Sequence, residues 1–246
     1  MTRILNNPKV ILFCQSFKLL LSKRPDVIVG FGGYATFPIC LMGRILNIPV
    51  IIHDVCFSRT TQKKSLNRIN EMNFSEIKKI DIGSWFHKKF STETILSLEE
   101  FLCHANGKVG VMLDLKEETI LNKKQIIKVG SIIKEYYNSN NQFQLLVGSL
   151  KSEILYTIKE MIPEEQLLPI VEFEWQLREY NDLQTKIYAL HYPIARKMIV
   201  NNLKARGIEV WAWVVDDTSR AKKLIANGIN GLITNTPRLF LTQNSG

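Results

Sequence analysis

Apolar residues return along this chain in two rhythms. Short runs rich in β-branched residues fall at 27–29, 50–52, 109–115, 143–147, 168–171, 187–190, 209–215 and 231–234, and these predict strands. Between them lie longer stretches whose apolar positions recur every three or four residues. Those at 35–46, 123–137, 152–161, 195–205 and 219–226 predict helices, with a shorter one ending near His104. Gly207 and Gly228 each stand after a helix and before a strand, where a left-handed cap is wanted. Strands alternating with helices predict a parallel sheet covered by helices. About eight such strands permit a (β/α)8 barrel of the TIM type. The stretch from 55 to 97 reads as loop-rich, and no internal repeat is visible.

Composition narrows this picture. Hydrophobic residues at 46% and charged residues at 22% are those of a globular chain and exclude collagen-like or disordered readings. The net charge of +9 is uneven, since residues 1–48 hold six bases and only one acid, Asp26. A basic balance favours anionic substrates or acidic lipid headgroups. No basic run, zinc-finger spacing or aromatic–basic motif points to nucleic acid. Cys14, Cys40, Cys56 and Cys103 lie far apart among apolar neighbours and predict buried, reduced thiols, as suits a cytoplasmic protein. The most apolar stretch, 10–21, is broken by Gln15, Ser16 and Lys18 and reads as an amphipathic helix, not a span or signal.

Two sets of motifs carry resemblances. The first comprises Pro49-Val50-Ile51-Ile52-His53-Asp54, Arg59-Thr60-Thr61, Asp81-Ile82-Gly83-Ser84-Trp85-Phe86 with Phe90, Ser97-Leu98-Glu99-Glu100 and Leu113-Asp114-Leu115-Lys116. It continues with Arg206-Gly207 through Trp211-Ala212-Trp213-Val214-Val215-Asp216-Asp217, and with Gly228-Ile229-Asn230-Gly231 through Asn235 and Pro237. In this order and spacing the set resembles the glycerophosphodiester phosphodiesterase family over residues 49 to 241. The second set is Arg24-Pro25-Asp26-Val27-Ile28-Val29-Gly30-Phe31-Gly32-Gly33-Tyr34, Pro38, and the run from Gly43 to His53. It resembles part of MurG, the glycosyltransferase that adds N-acetylglucosamine to the lipid-linked peptidoglycan precursor. The two overlap at Ile48 to His53, so the chain reads as a chimera: a MurG-like strand–helix segment over 1–48 and a phosphodiesterase-like barrel over 49–246, incomplete or irregular at its N-terminal strands.

The first resemblance implies hydrolysis of glycerophosphodiesters to glycerol 3-phosphate and an alcohol, with a divalent cation, Mg or Ca, on the phosphate oxygens and two histidines as acid and base. It implies that His53 is one of those histidines and that Asp114 stands where the family has a glutamate ligand. Aspartate is one methylene shorter, which sets its oxygens back by about 1.5 Å. Lys116, two residues on along the same strand face, could counter a phosphate charge. Trp213 matches a tryptophan that would line the glycerol side. His191 ends a strand and is read either as a substrate contact or as a structural histidine. Glu172 and Glu174 share a face only if their strand continues.

The family's opening strands carry its other histidine and two acidic ligands. Residues 1–48 hold no histidine and no glutamate, and Asp26 begins its strand at the wrong end. Weak or lost activity is therefore expected. A non-catalytic binding or scaffold barrel is the first alternative. A transferase fragment is the second, in which the Gly30–Tyr34 turn would offer a phosphate nest or serve only as a tight turn. Expected partners are small glycerophosphodiesters, with possible peripheral contact of the basic segment with an anionic membrane.

Overall fold

The computed structural model describes residues 37–42, 48–51, 53, 57–61, 69, 72–105, 110–116, 123–139 and 145–241. Eight strands join one sheet: β1 (Phe37–Met42), β2 (Pro49–Ile51), β3 (Val111–Leu115), β4 (Leu145–Ser149), β5 (Leu167–Val171), β6 (Ile187–His191), β7 (Glu209–Trp213) and β8 (Gly231–Leu232). The order across the sheet is β2-β1-β3-β4-β5-β6-β7-β8. Every neighbouring pair is parallel except β1–β2. The sheet curls into a half-barrel with helices outside it.

Strand alternation divides the core in two. Val111, Leu113 and Leu115 of β3 point to the helices, as do Val147, Val171, Leu190 and Ala212 of later strands. The residues between them face the concave side, where Leu168, Ile170, Ala189, Trp211 and Ile233 form a separate inner cluster. Gly148 and Gly231 make room there. A Cβ on Gly148 would lie 2.9 Å from Ile170 Cδ1, and one on Gly231 would lie 2.7 Å from the Trp211 ring. Small residues thus face large ones across the narrow interior.

The helices are α1 (Ser58–Thr61), α2 (Phe74–Ile77), α3 (Leu98–Ala105), α4 (Lys123–Ser139), α5 (Ser152–Ile158), α6 (Lys197–Ala205), α7 (Thr218–Ala226) and α8 (Arg238–Leu241). α5 packs on β4 and β5, and α6 packs on β7. α6 and α7 end alike. Gly207 (φ +77°) and Gly228 (φ +97°) turn the chain, and the next amide reaches back five residues, Ile208 N to Leu203 O at 3.1 Å and Ile229 N to Leu224 O at 3.2 Å. Both isoleucines then enter the core.

Two motif pieces prove to be local scaffolding. In Ser97-Leu98-Glu99-Glu100, the Glu100 amide donates to Ser97 Oγ (3.1 Å) and the Ser97 amide to Glu100 Oε2 (2.8 Å), a reciprocal cap on α3. In Asp81-Ile82-Gly83-Ser84, Asp81 accepts from the amides of Gly83 and Ser84, and Gly83 packs so closely that a Cβ would come within 2.0 Å of Phe90 O. Between β2 and α3, Val50, Phe57, Ile69, Ile77 and Ile95 form a satellite core, so the loop-rich stretch is packed.

Three expectations need correction. The stretch 35–46, read as a helix, contains strand β1 at Phe37–Met42. Its apolar residues satisfy either rhythm, and the edge of β3 beside it decides in favour of a strand. The segment before residue 54 therefore brings two described strands to the sheet, β1 parallel to β3 and β2 antiparallel to β1. Cys103, expected to be buried, is exposed on α3. The strand at 27–29, the Gly30–Tyr34 turn, the helix at 10–21 and Asp54 lie outside the described residues, as do the side chains of Cys14, Cys40 and Cys56. Among the described residues no helix is long and apolar enough to cross a membrane.

Candidate functional site

The C-terminal ends of the parallel strands make the mouth of the half-barrel. Asp114 lies on the inner face of β3, and Lys116 follows it two positions on. The Lys116 ammonium stands 2.9 Å from Asp114 Oδ2, with the two side chains 24% and 17% exposed. Asp114 Oδ1 is buried and has no hydrogen-bond partner among the described residues. A carboxylate oxygen in that state is an acceptor in waiting, because burial has removed water without supplying a donor.

Three strands away the mouth changes character. His191 of β6 and Trp213 of β7 are register partners, their rings stacked with centroids 4.8 Å apart and planes 26° apart. The Trp213 indole N–H donates to Ala189 O (3.0 Å), which fixes the ring plane. Tyr192 packs edge-on to His191 and carries the Arg220 guanidinium over its own face at 4.2 Å. Glu172 follows β5 at the level of His191, since Val171 pairs with Leu190. The strand stops there. The amides of Glu172 and Phe173 both donate to Gln176 Oε1, and a 3-10 turn, Glu174–Tyr180, begins. Glu174 pairs with Arg196 and does not share a strand face with Glu172.

Past β7, Asp216 clasps the loop after β8. Its Oδ1 accepts from Thr234 Oγ1 (2.8 Å) and the Asn235 amide (2.6 Å), and its Oδ2 accepts from Asn235 Nδ2 (2.7 Å). Burial pushes this carboxyl up, but the hydrogen bonds from Asn235 and Thr234 outweigh it and hold it below the ordinary aspartate value. Neither this clasp nor the Gln176 hold was anticipated. Asp216 stood within a quoted motif, but its partners lie too far along the chain for spacing to reveal them.

His53 comes from the margin of the sheet. It is exposed and follows β2, which runs against the other strands and is separated from β3 by β1. Ile51 is level with Ile39, and Ile39 with Leu115, so the chain leaves β2 heading back toward the end where β3 begins. The structure thus brings Asp114 and Lys116 together, and His191 and Trp213 together, and it sets the strand leading to His53 two positions across the sheet from that of Asp114. His87 and His104 are exposed and serve local backbone: His87 Nδ1 accepts from the Lys89 amide, and His104 Nδ1 donates to Glu100 O at the end of α3. Trp85 donates its indole N–H to Ile82 O within its own turn. Among the described residues, no group of three or more His, Cys, Asp or Glu side chains could hold a metal ion.

Comparison with known proteins finds one family over most of the chain. The glycerophosphoryl diester phosphodiesterase family matches residues 47–239. A glycerophosphodiester phosphodiesterase of Caldanaerobacter subterraneus subsp. tengcongensis is 27% identical over 195 residues, covering 78% of each chain. The structure of an Oleispira antarctica phosphodiesterase, solved in complex with the product sn-glycerol-3-phosphate, superposes with a TM-score of 0.72 at 26% identity, covering 87% of this chain and 86% of that one. A different enzyme also matches. The UDP-N-acetylglucosamine--N-acetylmuramyl-(pentapeptide) pyrophosphoryl-undecaprenol N-acetylglucosamine transferase of Wolbachia sp. subsp. Brugia malayi is 37% identical over 143 residues, 56% of this chain but 35% of that enzyme.

Proposed function

Because the chain belongs to the glycerophosphoryl diester phosphodiesterase family, we propose that its barrel mouth binds glycerophosphodiesters and hydrolyses them feebly or not at all. Lys116 supplies the positive charge for the phosphate, and the fixed face of Trp213, stacked on His191, lies against the glycerol. Asp114 steadies Lys116 through Oδ2 and offers Oδ1 to a ligand hydroxyl.

One observation supports the loss of turnover. Residues 1–48 hold no histidine and no glutamate, so the second histidine and the acidic ligands that the family's opening strands would supply are missing from that segment. Loss of a proton-transfer group costs about 10²–10⁴-fold. Among the described residues, no set of side chains fits the family's divalent cation. A hard cation takes six or more oxygens, whereas Asp114 offers one unpartnered oxygen and residues 1–48 contain no glutamate. No step of the reading therefore runs through a metal.

Residues 1–48 are read as a transferase-like piece whose contribution is β1, a strand in the sheet, and not transferase chemistry. The chain spans about a third of the transferase it matches. Calorimetric titration with glycerophosphocholine, followed by an assay for released choline with Mg or Ca present, tests the reading. Binding with turnover at or near background supports it. Chelator-sensitive turnover abolished by His53→Ala would overturn it.

A further inference from the structure

A buried serine stands under the mouth without opening onto it. Ser149 ends β4 and is fully buried. It lies two residues after Val147, which points to the helices, so its side chain sits behind the sheet and does not touch a ligand in the barrel. A buried hydroxyl needs partners, and Ser149 has them at both its polar ends. Its Oγ donates to Leu115 O (2.7 Å) and accepts from the Lys151 amide (3.1 Å), and its carbonyl accepts from the Tyr180 phenol (3.2 Å).

The β3–β4 register ends at Asp114 and Gly148, so Leu115 is level with Ser149 one rung beyond. There the Ser149 side chain takes over from the ladder. A carbonyl only accepts, so the hydroxyl's hydrogen is committed to Leu115 O, while the Lys151 amide fixes its other side. On the β5 side the residue level with Ser149 is Pro169, which has no amide hydrogen, and the Tyr180 phenol serves Ser149 O. Tyr180 O in turn accepts from the Tyr188 phenol of β6 (3.0 Å). A buried strut of hydroxyls thus runs from β6 to the end of β3, and its last bond falls on the residue between Asp114 and Lys116.

We propose that Ser149 is a positioning residue for the phosphate: through Leu115 it fixes the main chain from which Asp114 and Lys116 project, and so holds the Lys116 ammonium where the phosphate meets it. The inference rests on the reading of the mouth as a glycerophosphodiester site and adds to it a residue that acts from behind. An ammonium on a flexible four-carbon stem is loosely placed by itself. Here the stem starts beside a fastened carbonyl, and the head is tied to Asp114 Oδ2 at 2.9 Å. Held at both ends, it has little freedom left to lose when a phosphate binds. Without Ser149 Oγ, Leu115 O is left buried and unserved, and the end of β3 gains a reason to shift.

The test is a double-mutant cycle read as affinity for sn-glycerol 3-phosphate, titrated calorimetrically into the full chain. Ser149→Ala is expected to weaken binding about three- to fivefold, less than the about tenfold expected of Lys116→Met, because the strut acts only through that charge. In the Lys116→Met background, Ser149→Ala is expected to change affinity by less than about twofold. Ser149→Thr, which keeps the hydroxyl, is expected to bind within about twofold of the parent. Ile133→Val, a buried change on α4, lowers the thermal midpoint but is expected to leave affinity unchanged. Unchanged affinity in Ser149→Ala, a loss that persists in full beside Lys116→Met, or an equal loss in Ile133→Val would overturn the positioning role and leave the mouth reading standing. Failure of the parent chain to bind both sn-glycerol 3-phosphate and glycerophosphocholine would overturn both. Should Ser149→Ala not fold, Tyr180→Phe carries the same cycle through the other bond of the strut, and unchanged affinity there would overturn the proposal.

Discussion

Trp213 lies flat against His191 across the β6–β7 boundary, and its only polar atom donates to the carbonyl of Ala189. The indole therefore presents a fixed apolar face to the mouth, and the His191 ring is braced by stacking. Trp213→Phe keeps a ring but frees the Ala189 carbonyl. It should cost about 1 kcal/mol of stability and weaken glycerophosphocholine binding several-fold. His191→Ala should weaken binding to a similar degree by releasing the Trp213 ring. Calorimetric unfolding and titration of both variants measure these effects.

The Asp114–Lys116 pair divides cleanly by substitution. Lys116→Met removes the positive charge and leaves the half-buried Asp114 carboxylate with both oxygens poorly served. About 1–3 kcal/mol of stability should be lost, together with about tenfold in affinity for sn-glycerol 3-phosphate. Asp114→Asn also breaks the ion pair but leaves no buried charge behind, so its unfolding midpoint should fall less. The reverse order of midpoints would show that the Asp114 charge is not confined as described.

Tyr180 and Tyr188 are the buried phenols whose ionisation alkali must force. Both are buried, Tyr180 donating to Ser149 O (3.2 Å) and Tyr188 to Tyr180 O (3.0 Å). Burial pushes both phenols above their ordinary value of 10.0; for Tyr188 the nearby Arg206 only partly opposes this. A raised phenol favours the folded state fully below pH 10, where neither state ionises. That contribution drains away as pH climbs past 10, because the unfolded chain ionises first. Tyr180→Phe should cost about 1 kcal/mol near neutrality, and the gap to the parent should narrow above pH 10. Urea midpoints at pH 8 and pH 11 would reveal a gap that does not close.

Asp216 works at the other end of the scale. Its carboxyl is held low by Asn235 and Thr234, so its clasp is whole above the ordinary aspartate range and weakens as pH falls below it. Asp216→Ala should lower stability by about 1 kcal/mol, a modest figure because the group is exposed. The loss should shrink on acidification through and below the ordinary aspartate range. A pH-independent deficit would mean that the clasp acts through shape alone.

Gly231 is the tightest point of the inner cluster. Gly231→Ala should destabilise by about 1–3 kcal/mol, since the added methyl meets the Trp211 ring, itself buried and unable to swing away. A neutral result in thermal unfolding would show slack in the interior.

The parallel strands from β3 to β8 were legible as apolar runs alternating with helices, and Gly207 and Gly228 announced their caps without any contact information. Asp114 and Lys116 could be paired by strand period alone. β1 could not be read, since an apolar run of that length fits a helix as well as a strand, and only the waiting edge of β3 discriminates. The direction of β2 was hidden for a related reason: period two states which residues share a face but not which way the strand runs. Gln176 and Asp216 act through partners brought close only by the finished sheet.

The β1–β2 pair also bears on how the chain assembles. Met42 and Pro49 face each other across a short loop, so this hairpin can close early and locally, whereas joining Ile39 to Leu115 requires a far longer excursion of the chain. A ready-made hairpin docked on an outer strand alters no register beyond that strand. Such a margin is where a sheet can tolerate a change of sequence and still fold, with the remaining strands left in place.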